Sequence, residues 1–304
     1  IEIRKELEAL EEEKADLQDL LADEGRQWKR ISEQIGDIKK RFGKDTQLGA
    51  RRTGHEEAPA AEVIDFEAFV EREPVTVLCS EKGWIRAIKG HVTDTSGQKY
   101  KEGDRERFVI HAQTTDKLIL FGTDGRFYTL PVDKLPRGRG HGEPVRLSLD
   151  LGNDADIVAF MVHRPDRKLL VASADGRGFV VSESDVVAQT RAGRQVLNLG
   201  AAGEAAICAP VEGDHVAVLG ENRKLLIFPL DEMPEMTRGR GVILQRFKDG
   251  SLADAKTFTL EAGLECQTGS RVRTFTKEEL KEWIGRRSQA GRLPPHGFPR
   301  GTRF

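Results

Sequence analysis

The stretch KLILFGTDGRFYTL, residues 117–130, reads as a β-hairpin: an apolar run, a two-residue turn at Asp124-Gly125, and a second apolar run. KLLVASADGRGFVV (168–181) repeats it, with Asp175 placed 51 residues after Asp124. HVAVLGENRKLLIF (215–228) and, more weakly, GLECQTGSRVRTF (263–275) follow, and VTVLCSEKGWIRAI (75–88) precedes them. LPVDKLP at 130–136 matches FPLDEMP at 228–234, a displacement of 98 residues, or two periods of 49.

Further apolar runs, RFVIHA (107–112), DIVAFMV (156–162) and AAICAPV (205–211), come before the middle hairpins, so a unit holds about four strands. Five such units predict a propeller-type array in which each sheet packs on its neighbours. A parallel α/β sheet would need helical crossovers, and in this region only TKEELKEWIGRR (276–287) reads as helix.

The N-terminal segment obeys a different period. Ile3, Leu7, Leu10, Leu17, Leu21, Trp28, Ile31, Ile35, Ile38 and Phe42 alternate spacings of three and four, with Lys14 and Glu24 at the skipped positions. That is a coiled-coil seam, and nothing later in the chain repeats it, so the facing helix is expected from another chain or from sequence preceding Ile1. The start in mid-heptad without an N-cap reads as a fragment of something longer. Gly25 and Gly36 predict a bend or break. The expected organisation is a long helix over 1–44, a Gly-, Ala- and charge-rich linker over 45–73, and a β domain over 74–304.

Of the 304 residues 38% are hydrophobic, which excludes a disordered chain. No apolar run approaches the about 18 residues of a membrane span, and the N-terminus lacks a signal pattern, so a soluble cytoplasmic chain is expected. Cys79, Cys208 and Cys266 are isolated and read as buried strand thiols of a reducing compartment. The net charge of −2 hides an asymmetry. Residues 1–73 carry 13 Lys+Arg against 20 Asp+Glu, and residues 74–304 carry 35 against 30. A basic balance confined to the larger part points to a polyanion.

Arg-Gly segments recur where one unit leads into the next: RGRG at 137–140, RAGR at 191–194, RGRG at 238–241 and GRRSQAGR at 285–292. Loops in phase around a disc would lie on one rim. Glycine lets backbone approach a ligand, and the arginine fork suits phosphate oxygens. The candidate nucleic-acid-binding residues are Arg137, Arg139, Arg191, Arg194, Arg238, Arg240, Arg246, Arg286 and Arg287, with Lys99, Lys101, Arg105 and Arg107 as a second group. Trp84, Phe121, Phe127, Phe179 and Phe228 are expected in the core. His91, His111, His141, His163 and His215 lack ligand spacing, so no metal site is expected. Two rivals stay open: a propeller whose arginines bind acidic peptides, and an enzyme with a site in a central channel.

On these motifs the chain resembles the A subunits of bacterial type IIA topoisomerases. The helix IRKELEALEEEKADLQDLL, running on through ISEQIGDIKKRFGKDTQLGARRT, is similar to the end of their coiled-coil arm, and the repeats resemble their C-terminal β-pinwheel. Gyrase carries a QRRGGKG box after its first hairpin. Here GHVTDTSGQKYKEGDRERF (90–108) keeps Gln98, Lys99, Lys101, Arg105 and Arg107 but dilutes them with Glu102, Asp104 and Glu106. That places the chain nearer the topoisomerase IV branch than gyrase, with a gyrase domain carrying a degenerate box as the alternative. The resemblance implies a mainly β, five-bladed β-pinwheel preceded by a long coiled-coil helix. It also implies binding and bending of double-stranded DNA, and a role in decatenation and relaxation during chromosome segregation. The implied partners are the B subunit of topoisomerase IV and a second copy of the A subunit, joined through the N-terminal region in an A2B2 assembly. No catalytic residue and no cofactor is implied for this chain, since the catalytic tyrosine lies outside it and neither Tyr100 nor Tyr128 matches its motif. Mg and ATP are implied for the holoenzyme through the B subunit, and the location is cytoplasmic and chromosome-associated, with peripheral inner-membrane association suggested for relatives.

Overall fold

The computed structural model describes residues 2–50, 71–138, 140–200, 203–293, 298–299 and 301–304. The chain divides into two compact units, residues 1–64 and 65–304. In the first, α1 (Glu2–Ala22) and α2 (Glu24–Phe42) replace a single long helix. The break falls at Asp23, whose carboxylate accepts the backbone N–H groups of Gly25 and Arg26 and so caps α2. Arg26 reaches back across the break to Asp16 and Asp19. Gly36 lies within α2 and breaks nothing. Neither helix buries a residue, and the seam from Ile3 to Phe42 stays exposed. The linker expected over 45–73 falls mostly outside the described residues. No described helix is long and apolar enough to cross a membrane.

The second unit is a succession of antiparallel sheets built on the five expected hairpins. The hairpin β1 (Pro74–Ser80) and β2 (Trp84–Lys89) is joined by β3 (Glu106–Gln113), and β4 (Lys117–Gly122) and β5 (Arg126–Pro131) by β7 (Ile157–Val162). In the same way β8 (Lys168–Ser173) and β9 (Arg177–Ser182) take β11 (Ala205–Pro210), and β12 (His215–Gly220) and β13 (Leu225–Pro229) take β15 (Leu252–Phe258). The fifth blade is β16 (Leu264–Thr268) with β17 (Arg271–Phe275), and Arg303 bridges to Gln267 beside it. The third strand therefore closes the sheet of the hairpin before it, rather than opening the unit that follows.

A short fourth strand comes from the following unit. β6 (Glu143–Pro144) leaves the second hairpin and pairs with β2 of the first blade. β10 (Arg194–Gln195) leaves the third and pairs with β5, and β14 (Val242–Ile243) leaves the fourth and pairs with β9. Arg292, beyond the fifth hairpin, bridges to Leu225 in the same manner. Each blade is thus stitched to the next by exchanged backbone, the arrangement of a pinwheel.

The hairpin strands are continuous apolar runs because both faces are buried. Successive side chains point to opposite faces: Leu118 and Leu120 pack into the interface with the first blade, Ile119 and Phe121 into that with the third. Leu169 and Val171 are divided from Leu170 and Ala172 in the same way, and Val216 and Val218 from Ala217 and Leu219. Phe121, Phe127, Phe179 and Phe228 are buried as expected. Cys79 and Cys266 are buried, and desolvation pushes each thiol up to about 12. The helix expected over 276–287 is shorter: α3 (Lys277–Leu280), opened by a Thr276–Glu279 capping box, passes into a 3-10 turn ending at Trp283. Beyond it Ile284 is extended and bridges to Ile227.

The first three hairpin turns, 81–83, 123–125 and 174–176, have three residues and not two. Each closes on a glycine, Gly83, Gly125 or Gly176, with φ of +76°, +74° and +79°. In the fourth hairpin the residue in that place is Arg223, at φ +63°. A left-handed side-chain residue costs roughly 1–2 kcal/mol, part of which glycine returns as unfolded-state entropy. Arg223→Gly is accordingly expected to raise the stability of the chain by about 0.5–1 kcal/mol in urea unfolding.

Candidate nucleic-acid interface

The strands β3, β7, β11 and β15 touch one another in succession, so they form the inner edges of their blades. The exchanged strands β6, β10 and β14 occupy the opposite edge of each sheet, which is the outer rim. The Arg-Gly segments are the connections that carry the chain out of one blade and back to the one before. Three of them first lie parallel to the neighbouring hairpin strand, at Ala87–Arg137, Val180–Glu235 and Ile227–Ile284, and then turn to form the exchanged strand or bridge.

One glycine recurs at that turn. Gly142, Gly193, Gly241 and Gly291 have φ of +82°, +71°, +73° and +72°. A Cβ on them would sit 2.2 Å from the Ile85 carbonyl oxygen, 2.8 Å from that of Phe127, 2.4 Å from that of Gly178 and 2.7 Å from that of Leu225. The close approach for which glycine is needed is to the preceding blade, not to a ligand. Measured from this anchor the arginines are out of register: Arg137 and Arg286 lie five residues before it, Arg238 three, Arg191 two and Arg240 one, while Arg194 and Arg292 follow it directly. The rim position repeats, but the charge is scattered across it.

The side chains differ in what they already hold. Arg194, Arg246 and Arg286 are exposed and make no side-chain hydrogen bond or ion pair with a described residue. Arg238 makes one long bond, 3.4 Å, to Asn198. Arg137 faces Glu73 at 3.8 Å, Arg191 faces Asp150 at 3.7 Å, Arg240 faces Asp175 at 3.2 Å and Arg105 faces Glu81 at 2.7 Å. Exposed pairs of this kind contribute about 0–1 kcal/mol each, so a phosphate can displace the carboxylate. Burial opposes ionisation of Asp175, but the Ser173 hydroxyl and the Arg240 guanidinium outweigh it and hold the carboxyl below its usual range.

Arg287 and Arg107 are braces instead. Arg287 donates to the carbonyls of Glu232 and Ile243, fastening the exchanged strand β14. Arg107, on β3, donates to both oxygens of Asp156 and to the Ile157 carbonyl, joining the first two blades. Arg139 lies outside the described residues.

In the first blade, Lys99 is exposed, and the Lys101 ammonium stands 3.4 Å from the centre of the Trp84 ring, which is therefore part of the surface and not of the core. His91 and His111 stack with ring centroids 4.8 Å apart and bond to the carbonyls of Ala112 and Val92. His163 contacts Glu183, and His215 contacts Asp214. Among the described residues no three His, Cys, Asp or Glu side chains converge as a metal site.

Arg126 and Arg177 escaped sequence reasoning. Each opens the second hairpin strand and faces an exchanged residue, Gln195 or Ile243, and Arg126 donates to the Ala192 carbonyl. The signal was the Gly-Arg pair following the turn in both hairpins.

The family described as the DNA gyrase C-terminal domain, β-propeller, matches residues 116–164, 167–204 and 214–255. The A subunit of DNA topoisomerase 4 from Rickettsia bellii is 43% identical over the whole of this chain, which spans 41% of that protein. That of Caulobacter vibrioides is 44% identical, again over the whole chain and 41% of the relative. The chain thus spans about two fifths of the length of these relatives. Among solved structures, the C-terminal domain of E. coli ParC superposes with a TM-score of 0.66 at 29% identity, covering 73% of this chain and 94% of that one.

Proposed function

We propose that the chain is the C-terminal part of a type IIA topoisomerase A subunit, and that its rim binds and bends double-stranded DNA for a topoisomerase IV holoenzyme. What supports this is 43–44% identity over the whole chain to topoisomerase 4 A subunits and the match to the gyrase C-terminal β-propeller family. The observation that carries this reading is the recurrence of exposed arginines on the connections that stitch successive blades along one edge. DNA carries a charge every ~1.7 Å of duplex, and each phosphate neutralised by Arg or Lys releases condensed counterions, giving sequence-independent affinity with a log–log salt slope near −0.9 per contact. A curved rim gains contacts as the duplex bends around it, against an elastic cost of roughly 1–6 kcal/mol for 40–90° over 20–30 base pairs. Several contacts offset that cost.

On this reading the domain captures the segment to be passed through the enzyme's gate in decatenation and relaxation. The catalytic tyrosine belongs to the region that precedes this chain in the whole protein, and two copies pair through that region. ATP and Mg2+ belong to the B subunit. The holoenzyme works in the cytoplasm on the chromosome.

The test is duplex affinity against salt for the chain and for Arg238→Ala with Arg240→Ala, with a bending readout on the same DNA. The slope is expected to flatten by up to about two, the bend to relax and the urea midpoint to stay, since both side chains are exposed. Unchanged or absent DNA binding would redirect the arginines toward acidic peptides.

A further inference from the structure

The exchanged strands align the second hairpin strands of four blades. Ile85, Phe127, Gly178 and Leu225 each meet the residue that follows the anchor glycine. The next residue along is therefore equivalent in all four: Arg86, Tyr128, Phe179 and Leu226. All are buried, at 4%, 1%, 0% and 2% exposure. Three are the aromatic or aliphatic residues expected between packed blades. The first blade puts a guanidinium at the equivalent position, on the face of β2 turned away from the second blade.

Arg86 is held by neutral acceptors alone among the described residues. It donates to the Gly140 carbonyl in the Arg-Gly connection, and to the Gln98 side chain and the Lys99 carbonyl in the loop between β2 and β3. No carboxylate lies within ion-pair distance of it among those residues, so three hydrogen bonds, and not a counter-charge, offset the desolvation of its charge. In the other blades this position packs against the preceding blade, as Tyr128 does on the first and Phe179 on the second; in the first blade it faces the loop between β2 and β3 that supplies Gln98 and Lys99. What the guanidinium adds is a link between two loops that no other hydrogen bond between described residues connects. Trp84, two residues earlier and on the same face of β2, holds the same loop through Lys101.

We propose that Arg86 is a positioning residue, which sets Lys99 and Lys101 beside the neighbouring connection at Gly140 so that the two loops present one phosphate-binding surface at the first blade. This presupposes the DNA-binding reading above. Arg86 touches no DNA; it acts through the loops it clamps.

Arg86→Leu, which copies the fourth blade, tests it. The urea midpoint is expected to hold, while duplex affinity falls about tenfold and the salt slope flattens by about two. In the Arg86→Leu background, Lys99→Ala with Lys101→Ala should then have little further effect, although the same pair of changes in the parent flattens the slope. Parent-like affinity for Arg86→Leu, or an effect that adds in full to that of the lysines, overturns the assignment. Should Arg86→Leu lose its fold, Arg86→Lys keeps the charge but cannot span three acceptors; a folded Arg86→Lys chain with weakened affinity supports the clamp, and one with parent-like affinity overturns it. A parent chain without salt-dependent duplex affinity removes the DNA-binding reading itself, and the clamp with it.

Discussion

Gly241→Ala is expected to destabilise the β unit by about 3 kcal/mol or more and, on the DNA-binding function proposed above, to abolish most duplex affinity in the same step. At φ +73° an alanine pays roughly 1–2 kcal/mol for its left-handed backbone alone. Its Cβ would also stand 2.4 Å from the Gly178 carbonyl oxygen and 2.6 Å from its carbon. These are backbone atoms of β9, which cannot move without breaking its ladder to β8. The strain is relieved only by lifting β14 away, and with it go the Val242–Gly178 and Ile243–Arg177 pairs that join the third and fourth blades. Arg238 and Arg240, a few residues upstream, would lose their placement. Urea unfolding and duplex titration distinguish this from Arg238→Ala with Arg240→Ala, which should lower affinity alone. A Gly241→Ala chain as stable as the parent would refute the anchoring role.

The second large effect lies in the third blade. The turn following the second, third and fourth hairpins begins with a residue whose N–H bonds back to the loop before the hairpin: Val132 to Asp116, Glu183 to Arg167, Leu230 to Asp214. Glu183 is completely buried in a slot that its counterparts fill with aliphatic side chains. Its carboxylate accepts two bonds from the Arg167 guanidinium and one from the Arg164 backbone N–H, and contacts His163 Nδ1 at 3.2 Å. Removing one member of such a pair leaves a desolvated charge, so Glu183→Ala is expected to cost about 3–5 kcal/mol. Arg167→Met combined with Glu183→Leu, which returns the slot to the pattern of the other blades, is expected to come within about 1.5 kcal/mol of the parent. Denaturant titration of the three chains checks both statements. A single mutant costing less than the double would show that the pair is not what holds the turn.

These cases mark where local pattern stops being informative. The hairpins were legible because a short apolar run, a turn residue that tolerates positive φ and a second run are all local requirements. The break in the N-terminal helix was legible only in part. Gly25 marked its neighbourhood, but the capping geometry of Asp23 chose the residue, and the glycine at 36 left α2 intact. Trp84 looked like core because it lies in an apolar strand, and it is held at the surface by a lysine 17 residues away.

The sequence by itself determined that the chain has five hairpin units near a 49-residue period, a separate heptad helix, and arginines collected on the connections between units. Period, turn chemistry and charge are properties of neighbouring residues, so a linear reading reaches them. Only the tertiary structure decided which hairpin each edge strand joins, that the connections double back to the preceding blade, and that their glycines are demanded by a neighbouring carbonyl. It likewise separated Arg107 and Arg287, bound to partners 44 to 55 residues distant in sequence, from the exposed arginines of the same motifs. Strand exchange brings together backbone that lies a whole period apart, and no local pattern encodes a contact of that separation.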